Sequence, residues 1–125
     1  MHEDPPPPPR LLLVDDDPLI LRAVGRQLAR HFTLRTALGA EAALQALNDS
    51  AALDAFVFDM QMPPVDGPAL FERVMARWPE LRARSAVATG APDADDVRAF
   101  AAREGIAVIA KPYTTADLQA WLRSR

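Results

Sequence analysis

Five polar residues stand at the ends of apolar runs. Asp15 and Asp16 follow Leu11-Leu12-Leu13-Val14, and Asp59 follows Ala55-Phe56-Val57-Phe58. Thr89 ends the run from Ser85, and Lys111 ends Ala107 to Ala110. A carboxylate placed directly after a buried run must be solvated, paired or functional. Three carboxylates brought together without a counter-ion repel and raise one another's pKa. A hard divalent cation removes that conflict, and few oxygen ligands with retained waters suit Mg2+. Taken singly, each residue has an ordinary explanation. Asp15-Asp16-Asp17 reads as a polar loop with one N-cap, and Asp59 and Thr89 as strand-end groups. Lys111 alone reads as a surface lysine whose stem lies along the sheet. Only their convergence on one place argues for chemistry.

That convergence depends on the elements between them. Leu11 to Val14 suits a buried strand. Asp17-Pro18 is a helix start, with Asp as N-cap and Pro at the first helical position. Ile20, Val24 and Leu28 then recur at the spacing of a helical core stripe. Phe32, Leu34 and Thr36 alternate as a strand does, and Ala40, Leu44 and Leu47 mark a second helix. Pro63-Pro64-Val65-Asp66-Gly67 is turn chemistry. Leu70, Val74 and Trp78 form a third stripe closed by Pro79. Asp93 to Glu104 reads as a helix facing inward through Val97, Phe100 and Ala101, with Gly105 ending it. Thr114 with Asp117 forms a capping box for a last helix carrying Leu118, Trp121 and Leu122. Five repeats of strand then helix imply a parallel sheet covered on both faces. In such an open α/β sheet the carboxyl ends of the strands line one crevice where strand order reverses. Asp15, Asp16, Asp59, Thr89 and Lys111 should therefore share a pocket.

Bulk properties agree with one soluble domain. The chain has 125 residues, half of them hydrophobic and a quarter charged, enough for a single core. A net charge of -3 gives no reason to expect nucleic acid or an anionic membrane as a partner. There is no cysteine, so neither disulfides nor thiolate metal sites arise. The N-terminus carries no secretory apolar run and no segment reaches a membrane span, so a cytoplasmic protein is expected. Met1 to Pro9, with prolines at 5 to 9, reads as a disordered lead favouring polyproline II form. The domain proper is expected over residues 10–125.

Several of these segments together resemble the response-regulator receiver family of bacterial two-component signalling. They are Leu11-Leu12-Leu13-Val14-Asp15-Asp16-Asp17-Pro18, Phe56-Val57-Phe58-Asp59-Met60-Gln61-Met62-Pro63, Asp66-Gly67, Ala88-Thr89-Gly90 and Ala110-Lys111-Pro112. The resemblance implies a flavodoxin-like five-stranded parallel sheet in the order 2-1-3-4-5. It implies Asp59 as phosphoacceptor, taking a phosphoryl group from a histidine kinase or phosphotransfer protein. Asp16, Asp59 and the Gln61 carbonyl would bind Mg2+ directly, with Asp15 acting mostly through water. Lys111 would pair with Asp59 and then with the phosphoryl oxygens, and Thr89 would bond one of them. Gly90 and Pro112 lie in the adjoining loops, and the Lys111-Pro112 bond would be cis. A downstream protein would read the surface of the fourth helix, fifth strand and fifth helix, and a homodimer is compatible with this. The chain departs from the family at Val108, where a Phe or Tyr often serves as a switch.

Two other readings use the same residues. Asp15 and Asp17 resemble the Asp-x-Asp of haloacid-dehalogenase-like phosphatases. Those enzymes resemble larger proteins, and here no acidic pair follows Lys111. A receiver-like module that only binds, and is not an acceptor, is the other reading; it would fit better had Asp59 been lost. Neither the acceptor nor the binding reading makes the chain an enzyme in its own right. Met60, Met62 and Met75 read as packing rather than a soft-metal site.

Overall fold

The computed structural model describes residues 4–125. The expectation for Met1 to Glu3 falls outside the described residues. Five strands run β1 Arg10–Asp15, β2 Thr33–Leu38, β3 Ala55–Asp59, β4 Ser85–Thr89 and β5 Ala107–Ala110. They form one parallel sheet in the order β2-β1-β3-β4-β5. Five helices alternate with them: α1 Pro18–Leu28, α2 Gly39–Asp49, α3 Gly67–Arg77, α4 Asp95–Glu104 and α5 Thr115–Ser124. This is the flavodoxin-like arrangement read from the strand–helix alternation and the family likeness. Among the described residues no helix is long and apolar enough to cross a membrane.

Strand alternation sends successive side chains to opposite faces, and the core divides accordingly. Leu12, Val14, Phe56, Phe58 and Val87 face α2, α3 and α4. Leu11, Leu13, Val57, Ala86 and Ile109 face α1 and α5. The first face holds the aromatic core. Phe58 stacks on Phe71 at 5.4 Å, and Phe100 meets Phe71 edge-on at 5.9 Å. That cluster fixes α3 and α4 against β3, the strand that ends in Asp59.

Several sequence expectations shift. The α1 stripe buries Leu21 and Leu28, while Ile20 and Val24 are only half-buried at its margin. In β2, Thr36 is exposed and Ala37 is the buried residue, because β2 is an edge strand. Helix α4 begins at Asp95 rather than Asp93, and Ala94 caps it without a side-chain bond. Pro79 does end α3, but it also opens a 3₁₀ helix, Pro79–Arg84. The proline run is exposed up to Pro8 and lies in no strand or helix. Pro9 differs: its carbonyl accepts the Thr33 N–H at 2.9 Å, so the ladder starts one residue before Arg10. Proline lacks a donor but keeps an acceptor, so the last residue of the run can join the ladder through its carbonyl.

Candidate functional site

Each expected residue reaches the carboxyl edge of the sheet by a local rule. Asp15 is the last residue of β1 and is 2% exposed. Its Oδ1 accepts the Asp17 N–H at 3.0 Å, and Asp17 in turn caps α1 through the N–H groups of Leu19 and Ile20. The acidic triplet therefore divides its work. Asp15 points into the sheet edge, Asp16 is exposed, and Asp17 starts the helix. Asp59 ends β3 and is half-buried.

Lys111 follows β5 and reaches across the edge to both acids. Its Nζ lies 2.8 Å from Asp15 Oδ2 and 3.1 Å from Asp59 Oδ2. The expected Asp59 partnership is present, but Asp15 is the shorter contact. Asp15, Asp16 and Asp59 each offer an oxygen within 4.8 Å of the others. Three hard oxygen donors at a partly solvated rim fit an oxygen-seeking divalent cation.

One ammonium serves two inner carboxylates, and the electrostatics show the imbalance. Burial raises the Asp59 carboxyl above its ordinary value; the Lys111 bond and charge offset part of this, and the Asp15 charge adds to the rise. Burial works against the Lys111 ammonium, yet the bonds to Asp15 and Asp59 outweigh it and raise its pKa. The lysine is held charged, and Asp59 is held in an environment that favours neutralising its charge.

The remaining expected residues frame this centre. Thr89 ends β4, is buried, and its Oγ1 accepts the Ala91 N–H at 3.0 Å. Gln61 is exposed just past Asp59, its N–H 3.4 Å from Asp59 Oδ1. Gly90 is exposed, and a Cβ there would meet nothing within 4 Å. The Lys111-Pro112 bond is cis, as the family likeness implies, and so is Pro63-Pro64. Val108 is not in the pocket; it lies half-buried on β5 against the core face that holds Phe58 and Phe100.

Two further residues matter here. Gly67 brings the start of α3 against the backbone beyond Asp59. A Cβ there would collide with the Asp59 carbonyl and sit 3.0 Å from Met60 Cα. Its own N–H bonds Met60 O at 2.9 Å. The Asp66-Gly67 pair signals a turn, but only the fold shows what the glycine makes room for. Tyr113 is buried two residues past Lys111, and its hydroxyl has no hydrogen-bond partner among the described residues. Its proximity to Lys111 in sequence was the one available signal.

Fold and site together define a doubly wound α/β domain with an acidic pocket at the carboxyl end of its sheet. A family model for the response regulator receiver domain matches residues 11–123. The chain belongs to that family. Among solved structures it is similar to the signal receiver domain of an HD domain-containing protein from Pseudomonas fluorescens Pf-5. That match has 32% identity, covers 94% of this chain and 93% of that chain, and has a TM-score of 0.77. It is similar to a structure described as adenylate cyclase from Rhodopirellula baltica, at 26% identity over 94% of this chain and 86% of that one, TM-score 0.79. A receiver domain protein from Clostridium thermocellum shares the fold at 24% identity, 93% and 92% coverage and TM-score 0.81. No curated protein matches the chain.

Proposed function

We propose that Asp59 accepts a phosphoryl group from a phosphohistidine on a histidine kinase or phosphotransfer protein. The observation that carries this reading is the ammonium of Lys111 held 3.1 Å from Asp59 at the rim of a three-carboxylate cluster. In the transfer an Asp59 oxygen forms a bond to phosphorus as the phosphorus–nitrogen bond breaks. The electron pair returns to the imidazole, which takes a proton from solvent. Catalysis of this kind is chiefly positioning and charge stabilisation. Lys111 supplies a fixed positive charge for the phosphoryl oxygens, and the Thr89 hydroxyl turns from Ala91 to donate to one of them. A magnesium ion held by Asp16, Asp59 and the Gln61 carbonyl, with Asp15 behind water, would neutralise the charge gathered there.

The same geometry supports a reading of the output. Thr89 moving inward leaves space behind it, and Val108 is stiff at χ1 and too small to fill it. The change is therefore carried by the loop at Gly90 and Ala91 and by α4, on a surface shared with β5 and α5. A downstream protein reads that surface, in the cytoplasm of a bacterium.

The test is to treat the chain with acetyl phosphate and Mg2+ and map the modified residue. One phosphate on Asp59, lost in excess chelator and in Asp59→Asn, is expected. Full modification of Asp59→Asn overturns the assignment. Steady turnover of a small phosphate ester would instead mark a phosphatase.

A further inference from the structure

Tyr113 is the one tyrosine of the chain, and it stands in the core cluster that also contains Leu21, Ile109 and Leu118. Phenylalanine would serve that packing equally well. The hydroxyl is buried and, among the described residues, is the one buried side-chain polar atom without a partner. The other buried polar side chains are all engaged. Ser85 Oγ donates to Leu81 O at 2.7 Å, Thr89 Oγ1 accepts from Ala91, and Asp15 accepts from Asp17 and Lys111. A buried polar group left unpaired is a standing penalty and asks for an explanation.

The explanation lies beside it. Tyr113 and Lys111 line one small cavity of about 260 Å³ with Ile20, Val24 and Pro112. Burial first, and then the charges of Asp15 and of Asp59 in that order, push the tyrosine hydroxyl up. Asp15 continues the face of β1 that carries Leu11 and Leu13, the face whose cluster contains Tyr113, and Lys111, which shares the cavity with Tyr113, holds Asp15 Oδ2. Asp15 Oδ2, in turn, has a single donor, Lys111 Nζ at 2.8 Å. On the phosphoacceptor reading, a phosphoryl group on Asp59 brings roughly -1.5 to -2 of charge and draws that ammonium toward it. A carboxylate that is 2% exposed then loses the donor to its inner oxygen.

We propose that Tyr113 is a positioning residue of the phosphorylated state: its hydroxyl donates to Asp15 Oδ2 when Lys111 turns to the phosphoryl group. The unpaired donor of the free form and the deserted acceptor of the phosphorylated form satisfy one another. The hydroxyl thereby disfavours the free state and favours the phosphorylated one. This rests on the phosphoacceptor reading of Asp59.

The single tyrosine makes the test direct. Label the full chain with carbon at tyrosine Cζ, whose chemical shift reports hydroxyl hydrogen bonding, and compare the free, Mg2+ and Mg2+/beryllium fluoride forms. The resonance is expected to move only on addition of beryllium fluoride. Tyr113→Phe, which keeps the ring, is expected to bind beryllium fluoride about tenfold more weakly, the worth of one hydrogen bond to a charged group. Its free form should melt no lower than the parent. A silent Cζ resonance while fluorine signals show beryllium fluoride bound overturns the proposal and leaves the acceptor reading standing. So does unchanged affinity in Tyr113→Phe, or a shift already complete with Mg2+ alone. Failure of the parent chain to bind beryllium fluoride overturns both.

Discussion

The two ends of the sheet solve opposite problems. At the amino end three polar groups beside the strands each have a partner. Arg10 N–H donates to Asp54 at 2.8 Å, Arg84 donates to Leu53 O at 2.8 Å, and buried Ser85 donates to Leu81 O at 2.7 Å. At the carboxyl end two inner carboxylates share one ammonium, and a buried hydroxyl has no partner among the described residues. The amino end is arranged for stability in one state. The carboxyl end is under-compensated, with more negative than positive charge at its rim. Truncations at the two ends should therefore move stability in opposite directions.

The largest effect expected runs against that division. Gly67 is at the carboxyl end, yet it is a packing residue, because a Cβ would strike the backbone of Asp59 and Met60. Gly67→Ala is expected to cost about 2–3 kcal/mol, in the range of overpacked sites. Denaturant unfolding measures it. A change below about 0.5 kcal/mol would show that α3 can slide away from β3 at no cost.

Next comes the amino end. Ser85→Ala removes a buried hydroxyl and its bond to Leu81 O, a loss of about 1 kcal/mol. A neutral or stabilising result would remove the contrast between the two ends.

How much of this was legible in sequence divides along the same line. Asp15, Asp59 and Lys111 could be placed because each ends an apolar run, and run ends map directly onto one edge of a parallel sheet. The 3₁₀ helix Pro79–Arg84 could not. Pro-Glu-Leu-Arg-Ala-Arg has no period of its own, and its shape follows from distant contacts: Leu81 is fully buried and Arg82 lies over the Phe71 ring at 5.6 Å. Ile20 was misplaced for a related reason. Spacing finds a stripe but not its centre, and Leu21 rather than Ile20 turned out to be buried. Tyr113 was passed over because a sequence shows a hydroxyl but not whether it has a partner. Lys111 was correctly joined to Asp59, while its shorter bond to Asp15 depends on ångström-level placement.

At the carboxyl end the sign should reverse. The folded Asp59 carboxyl is raised above its unfolded value, chiefly by burial. Such a group contributes stability while protonated, in acid, and loses that contribution as pH rises through its folded value. Asparagine is neutral throughout. Without Mg2+, Asp59→Asn is therefore expected to stabilise by on the order of 1 kcal/mol near neutral pH, with Lys111 still paired to Asp15. That is roughly 3–5 °C in melting temperature for a domain of this size. The gain should shrink on acidification toward the carboxylate range. A gain that grows in acid, or a loss at neutral pH, would mean that Lys111 outweighs burial.

The smallest effect separates the proline run from the sheet it leads into. Asp4 to Pro8 are exposed and belong to no strand or helix, so their removal takes away no packed surface and no ladder bond. Pro9 adds one ladder bond through its carbonyl, accepted from Thr33 at 2.9 Å beside the first residue of the outermost strand. A chain shortened to begin at Pro9 is expected to melt within about a degree of the full chain, as surface changes away from packing do. A chain shortened to begin at Arg10 also loses the Thr33 bond. It should lose roughly 0.5–1 kcal/mol more, the lower part of the range for a hydrogen bond, because this one lies at the solvent-facing edge. Thermal melts of the two truncations side by side decide it. Equal melting temperatures would show that the Thr33 N–H is as well served by water, and that the sheet starts at Arg10 after all. A large drop in the longer truncation would instead show that the prolines before Pro9 cover part of the domain.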